Sequence, residues 1–228
     1  MTAAEPSIRE LVPPPDTGRI FRTARRVSID DSNPVGSMEL DAVFRFLQDA
    51  GNDDTDDAGL PRLGLAWIAR KALIEVVVPA TARELLSVQT WCSGTGTRWA
   101  ERRTRLTGEH GARVDAATLW VHVDPESGRP IRWGEEFAAT YLESAGGRQV
   151  DSRLRHPKLP PSTDDDGVVV TPWRFRRTDM DAFGHVNNAA YLAALEEVAE
   201  PADFSEPYRV EVEWRKPSKS EDDLEIIV

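Results

Sequence analysis

The sequence predicts an α+β fold built from two related halves in tandem, each an antiparallel sheet wrapped around one long helix, with the second half shortened. Three observations predict it. A strand and an apolar run at helical spacing open the chain; four extended runs rich in Val, Leu, Thr and Trp follow in a row; and the strand, turn and helix then recur beyond residue 167.

Met1 to Asp16 carries Glu5, Glu10 and the run Pro13-Pro14-Pro15, with no apolar core segment, so it reads as a flexible tail and as neither a secretory signal nor a membrane helix. A first domain then spans residues 17–150. Arg22 to Ile29 reads as a strand, and "DDSNPVGS", Asp31 to Ser37, as a turn dense in breakers. Behind it, Leu40, Val43, Phe44 and Leu47 fall three and four apart, which predicts a buried helix with Ser37 as its N-cap and its end near Gly51-Asn52.

From Leu65 the texture changes to "LAWIARKALIEVVVP", "RELLSVQTWCSG", "TRWAERRTRLTG" and "ARVDAATLWVHVDPESGRP". Turn residues divide these runs, and β-branched and aromatic residues fill them, which predicts an antiparallel meander against the helix. Residues 151–167, "DSRLRHPKLPPSTDDDG", are Pro-rich and charged and read as a linker.

Residues 168–228 form the second domain. Laying Gly184 on Gly36 sets Asp179 on Asp31, Asp181 on Asn33, Tyr191 on Val43, Leu192 on Phe44, Leu195 on Leu47 and Glu196 on Gln48. The repeat implies a symmetric dimer fused into one chain. Its second copy is too short to close a sheet, and the resulting edge admits a homodimer. The copies differ at the turn, Asn33 in one and Asp181 in the other.

The 39 acidic against 28 basic side chains leave a formal charge of −11, which argues against nucleic acid and anionic membrane as partners. Cys92 is the only cysteine. It supplies neither a disulfide nor a multi-cysteine metal site, and suits the cytoplasm.

"DMDAFGHVNNAAYLAALEE", Asp179 to Glu197, resembles the helix-entry motif of the hotdog-fold thioesterases. Together with the duplication, "FRFLQDAGNDDTDDAGL" and "LWVHVDPESGRPIR", the chain from Gly18 onward is similar to the acyl-acyl-carrier-protein thioesterases, double hotdog enzymes of plant plastids and bacteria. The resemblance implies hydrolysis of fatty acyl-acyl-carrier protein to free fatty acid, with acyl carrier protein as partner. It implies no cofactor beyond the 4'-phosphopantetheine arm that the substrate carries. Of the family pattern "DxNxHVNN", Asp181 and His185 are retained and Phe183 replaces the Asn; where "EYRREC" is usual, "EWRKPS" places Pro217 and Ser218.

Hydrolysis of a thioester needs an oriented or deprotonated water, donors for the oxyanion, and a leaving thiolate. Asp181 can serve the water. Backbone N–H groups of Phe183, Gly184 and His185 at a helix start are candidate oxyanion donors, Gly184 leaving room for the carbonyl. His185 can polarise the water or hold the thioester, imidazole as a group being able to bind or release a proton near neutral pH. Asn187 or Asn188 can cap the helix or orient Asp181.

Each has a plainer reading. Aspartates before a helix commonly do no more than hold a turn. His110, His122 and His156 read as structural, and Cys92 beside Trp91 as core. The acidic runs Asp53-Asp54-Asp56-Asp57, Asp164 to Asp166 and Glu221 to Asp223 read as solvated loops.

An acidic carrier requires a basic dock. Arg103 and Arg105 share one face of a strand by alternation, and Arg177 with Arg174, Arg176, Arg215, Lys216 and Lys219 supplies cations in the second half. The fatty acyl chain is expected in an apolar tunnel of the first half, among Val43, Phe44, Leu47, Trp67, Ile68, Trp91 and Trp99. An acyl-CoA thioesterase and a catalytically inactive acyl-binding module are the alternative functions, Phe183 and Pro217 favouring the latter.

Overall fold

In the computed structural model, residues 11–60, 66–157, 168–199 and 204–228 are described. The first strand, β1 (Phe21–Arg26), leads through a 3₁₀ turn at Ile29–Asp31 into α1 (Leu40–Asp57). Four strands follow: β2 (Ala66–Val78), β3 (Leu85–Thr95), β4 (Trp99–Gly108) and β5 (Arg113–Val123). Helix α2 (Glu135–Ala145) precedes the second half, which holds β6 (Val170–Trp173), a 3₁₀ turn at Arg177–Asp179, α3 (Asn188–Val198), β7 (Tyr208–Glu213) and β8 (Leu224–Ile227).

Six strands form one antiparallel sheet in the order β1-β3-β4-β5-β2-β7, and β6 pairs with β8. The extended runs are therefore strands as predicted, although β2 crosses over to pair with β5. The duplication is visible in the topology. β6 and β8 repeat the β1–β3 pair, α3 repeats α1, and β7 stands where β2 stands in the first half. β2 and β7 lie side by side, Leu73 opposite Glu211, which joins the halves across a continuous sheet. Among the described residues the second half has no counterparts of β4 and β5.

The sheet encloses α1 because one side of the helix is apolar. Leu40, Val43, Phe44 and Leu47 are buried against Ala72, Ile74 and Val76 of β2, Leu86 and Val88 of β3, and Leu106 of β4. Burial of each large side chain contributes about 1.5–3 kcal/mol. Trp214 beyond β7 packs on Phe44, ring centroids 5.0 Å apart.

Three expectations are corrected at this helix. Its N-cap residue is Glu39, and Ser37 lies outside it, bridged to Thr81. Its end is Asp57, about one and a half turns past Gly51-Asn52. The acidic run is that extension and not a loop. Asp54 is 1% exposed and binds both Arg19 (2.6 Å) and Arg102 of β4, while Asp49 and Asp53 bind Arg25 of β1 at 2.6 and 2.7 Å. These long-range ion pairs offset the low helix propensity of Gly and Asn, which sequence spacing registers as a stop.

Helix α2 was not anticipated, though Phe137, Tyr141 and Ala145 recur at four-residue spacing before the left-handed Gly146 (φ 56°). Its Tyr141 packs under Arg102, 5.3 Å from ring centroid to guanidinium. Asp54, Arg102 and Tyr141 thus tie α1, β4 and α2 into one knot.

The outer face of the sheet is covered rather than solvated. Leu11 packs on Leu73 and Ala117, and Val12 O accepts from Arg103 at 2.8 Å, so the described end of the predicted tail is anchored. Of the predicted linker, 151–157 lies on the protein: Arg155 N and His156 N donate to Glu213 at 2.6 and 3.2 Å, and Lys71 Nζ donates to Arg153 O. The rest of that linker, with Asp164 to Asp166, lies outside the described residues.

Asp54→Ala leaves two guanidinium groups without their buried partner. It is expected to cost about 3–5 kcal/mol by denaturant titration, whereas Asp53→Ala, with an exposed pair, is expected to cost under about 1 kcal/mol.

Candidate active site

The two turns that precede α1 and α3 share the same hydrogen bonds. In the first, Asn33 N donates to Ser37 O (2.9 Å), Gly36 N to Asn33 O (2.9 Å), and Val35 N and Ser37 N to Asn33 Oδ1 (3.2 and 2.9 Å). In the second, Asp181 N donates to His185 O (2.8 Å), Gly184 N to Asp181 O (3.1 Å), and Phe183 N and His185 N to Asp181 Oδ1 (2.9 and 3.2 Å). Gly36 and Gly184 take φ of 87° and 76°, which a side chain would strain. No atom lies within 4 Å of a Cβ built on Gly184, so the space above the turn is open.

These bonds revise the expected oxyanion donors. The N–H groups of Phe183, Gly184 and His185 are all spent inside the turn. Val186 N donates to Ser218 O (3.1 Å), Asn187 N to Asp179 O (2.8 Å), and Ala189 N to the Asn187 side chain (2.8 Å), which makes Asn187 the N-cap of α3. Asn188, the first residue of α3, keeps an N–H that no described group accepts from. It sits at the positive end of the helix, where negative charge is stabilised.

The first half differs at the equivalent place. Leu40 N and Asp41 N, the counterparts of Asn188 N and Ala189 N, donate to Glu196 Oε1 (2.7 Å) and Oε2 (3.2 Å) from α3. The helix start behind Asn33 is plugged by a carboxylate, and the one behind Asp181 is open.

Around the open turn, one oxygen of Asp181 holds the loop, and the other accepts no hydrogen bond among the described residues. His185 is exposed, and among the described residues its imidazole has no hydrogen bond. Phe183 is 76% exposed at the tip. Tyr191, which spacing had marked only as core, reaches the site with its hydroxyl, which accepts from Ser218 N at 3.0 Å. Ser218 and Pro217 therefore run beside the turn, on the segment that follows β7.

Other expected features do not assemble. Arg103 is fully buried under the N-terminal segment, donating to Ala116 O and Val12 O, and cannot serve as a dock; Arg105 is tied to Asp115 at 2.8 Å. Alternation correctly put the two on one face, but that face is covered. The proposed tunnel residues do not line one cavity. Val43, Phe44 and Leu47 are closed core, Ile68 is exposed, and Trp91 packs against Arg103 on the outer face. His122 is structural, its Nδ1 3.2 Å from Arg132 O and its ring stacked on Trp67, and Cys92 is buried with its thiol pushed up to about 11 by burial.

The two halves match two known domains. Residues 18–141 match the acyl-ACP thioesterase N-terminal domain, and residues 163–228 match the acyl-ACP thioesterase C-terminal domain. The chain belongs to the acyl-ACP thioesterase family. An uncharacterised protein of Mycobacterium tuberculosis is 30% identical over 95% of this chain and 85% of its own. Oleoyl-acyl carrier protein thioesterase 1 of Arabidopsis thaliana chloroplasts is 23% identical, over 84% of this chain and 58% of the plant protein.

Among solved structures, the 12:0-ACP thioesterase of Umbellularia californica superposes with a TM-score of 0.73 at 17% identity, over 90% of this chain and 80% of that one. An acyl-ACP thioesterase of Bacteroides thetaiotaomicron gives 0.71 at 16%, over 90% and 85%. These likenesses establish the hotdog fold. Membership of this acyl-ACP thioesterase family makes the chain a thioester hydrolase by descent.

Asp181→Asn tests which turn works. Asn33 already holds the same turn in the first half, so the substitution is expected to leave the thermal midpoint within about 2 °C. Hydrolysis should fall by roughly 10²–10⁴-fold, the usual worth of a positioned acid or base.

Proposed function

We propose that this protein hydrolyses fatty acyl-acyl-carrier protein to free fatty acid and carrier thiol, with the reaction at the Asp181 turn. The observation that carries the reading is the contrast between the two helix starts, one plugged by Glu196 and one open beside a carboxylate.

The thioester carbonyl oxygen points at Asn188 N–H and the start of α3, where developing negative charge is favoured. Asp181 orients a water through its outer oxygen and takes its proton as the water attacks the carbonyl carbon. The C–S bond then breaks, and the departing thiolate is protonated from His185 or from solvent. Asn187 and Gly184 hold the turn in the shape this requires.

The carrier reading draws on charge. Arg174, Arg177, Lys216 and Lys219 are exposed on segments that flank the turn, and Arg177, Lys216 and Lys219 enter no salt bridge among the described residues. A cluster of free cations beside the site, on a chain of net charge −11, suits an acidic partner that delivers its substrate on a flexible arm. One observation favours a second reading, an acyl-binding module without turnover: Phe183 and Pro217 stand where the resemblance places catalytic groups.

The test is free-thiol release from the same acyl group on carrier protein, on coenzyme A and on pantetheine. Carrier thioester is expected to be the best substrate. Charge reversal at Arg177, Lys216 and Lys219 is expected to raise its KM about tenfold and flatten its salt dependence, with kcat for the uncharged pantetheine thioester unchanged. Equal use of coenzyme A thioester would move the assignment to acyl-CoA, and no turnover on any carrier would favour the binding module.

A further inference from the structure

The Glu196 carboxylate is an unusual cap, since it comes from the other half of the molecule. Side chains near a helix start normally serve their own helix. Here both oxygens of a residue on α3 accept from the first two N–H groups of α1, at 2.7 and 3.2 Å. The surroundings are acidic. Glu39 and Asp41 face it from the start of α1, with Tyr208 of β7 on the buried side, and Glu197, next to it on its own helix, acts on Glu39. No cation pairs with Glu196 among the described residues: Arg45 binds Asp31 and the Oδ2 atom of Asp41, and Arg176 binds Asp179.

One further atom is out of balance. Asp41 Oδ1 is buried and has no hydrogen-bond partner, although Asp41 N is bonded to Glu196 itself. A buried acceptor without a donor is costly, and a proton on Glu196 would supply that donor.

We infer that Glu196 and Asp41 share a proton across the α1–α3 contact, and that this carboxyl pair positions the helix carrying the Asp181 turn. The second clause rests on the thioesterase reading; the first does not. Protonated, Glu196 accepts from Leu40 N with its carbonyl oxygen and donates from its hydroxyl to Asp41 Oδ1. Ionised, it keeps both N–H bonds but meets Asp41 and Glu39 as like charges, and the contact loosens. Because α3 starts directly behind the Asp181 turn, a loosened contact moves that turn relative to the first half.

The direction with pH follows. Burial, set against the two backbone bonds, raises Glu196 to about 7. A carboxyl raised in the folded state favours folding fully below its unfolded value. That contribution is lost as pH rises through about 7.

The experiment is NMR titration of side-chain carboxyl carbons, with thermal midpoints and hydrolysis measured across pH, on the whole chain and on Glu196→Gln. Glutamine keeps one acceptor for Leu40 N and a donor for Asp41 Oδ1, so the variant mimics the protonated state. We expect a carboxyl titrating near neutrality that disappears in the variant. The parent's midpoint should fall from about pH 4.5 to about pH 7 and level off above, while the variant lacks that fall. The alkaline loss of kcat/KM should be smaller in the variant. Titration of Glu196 in the ordinary carboxylate range, or an identical midpoint profile in the variant, overturns the shared proton. An intact titration with identical kcat/KM profiles overturns the positioning role. Absence of hydrolysis at every pH overturns the thioesterase reading instead, with the titration still deciding the pair.

Discussion

An 18-residue helix enclosed by a sheet is stable only when the polar groups at both its ends find partners, and α1 meets that constraint with residues from distant parts of the chain. Its start is closed by Glu196 from the second half. Its last turn is met by Arg19, which donates to Asp54 O at 3.1 Å and to the buried Asp54 carboxylate, itself paired with Arg102, with Tyr141 of α2 beneath. The ends of one helix thereby set where α2, α3 and β4 sit. The apolar side of α1 supplies most of the favourable burial, while the charged ends select one arrangement among those that burial alone would permit.

Duplication explains the rest of the architecture and also its asymmetry. A symmetric pair of hotdog units has two equivalent helix starts. Here one starts behind Asn33 and is occupied by a carboxylate, whereas the other starts behind Asp181 and presents an open Asn188 N–H. Asn33 and Asp181 hold their turns with the same bonds, so the difference between them is chemical rather than conformational. Fusing two halves frees each copy to specialise, and the residues divide accordingly: the first half keeps the complete sheet and core, the second keeps the turn with an acid and a histidine.

Much of this was legible in the residues. The spacing of Leu40, Val43, Phe44 and Leu47 located α1, the turn-bounded Val- and Trp-rich runs located β2 to β5, and the match of Gly184 to Gly36 located the second turn to the residue. What misled was local chemistry overruled at long range. Gly51-Asn52 signals a helix end, but ion pairs to β1 and β4 carry the helix past it. Arg103 reads as surface, but residues 11–12 lie over it. Phe183, Gly184 and His185 read as donors to a substrate, but the Asp181 carboxylate and carbonyl had already taken their N–H groups.

The sequence by itself determined the periodicities, the repeat and the Asn-to-Asp difference at the turn of the two copies, because these depend only on residue type and spacing along the chain. Tertiary structure alone decided which helix start is plugged, which arginines are buried, and that Tyr191 and Ser218 meet beside the turn. Those outcomes depend on which groups a folded chain brings within about 3 Å of one another, the reach of a hydrogen bond, across sequence separations that no local pattern encodes.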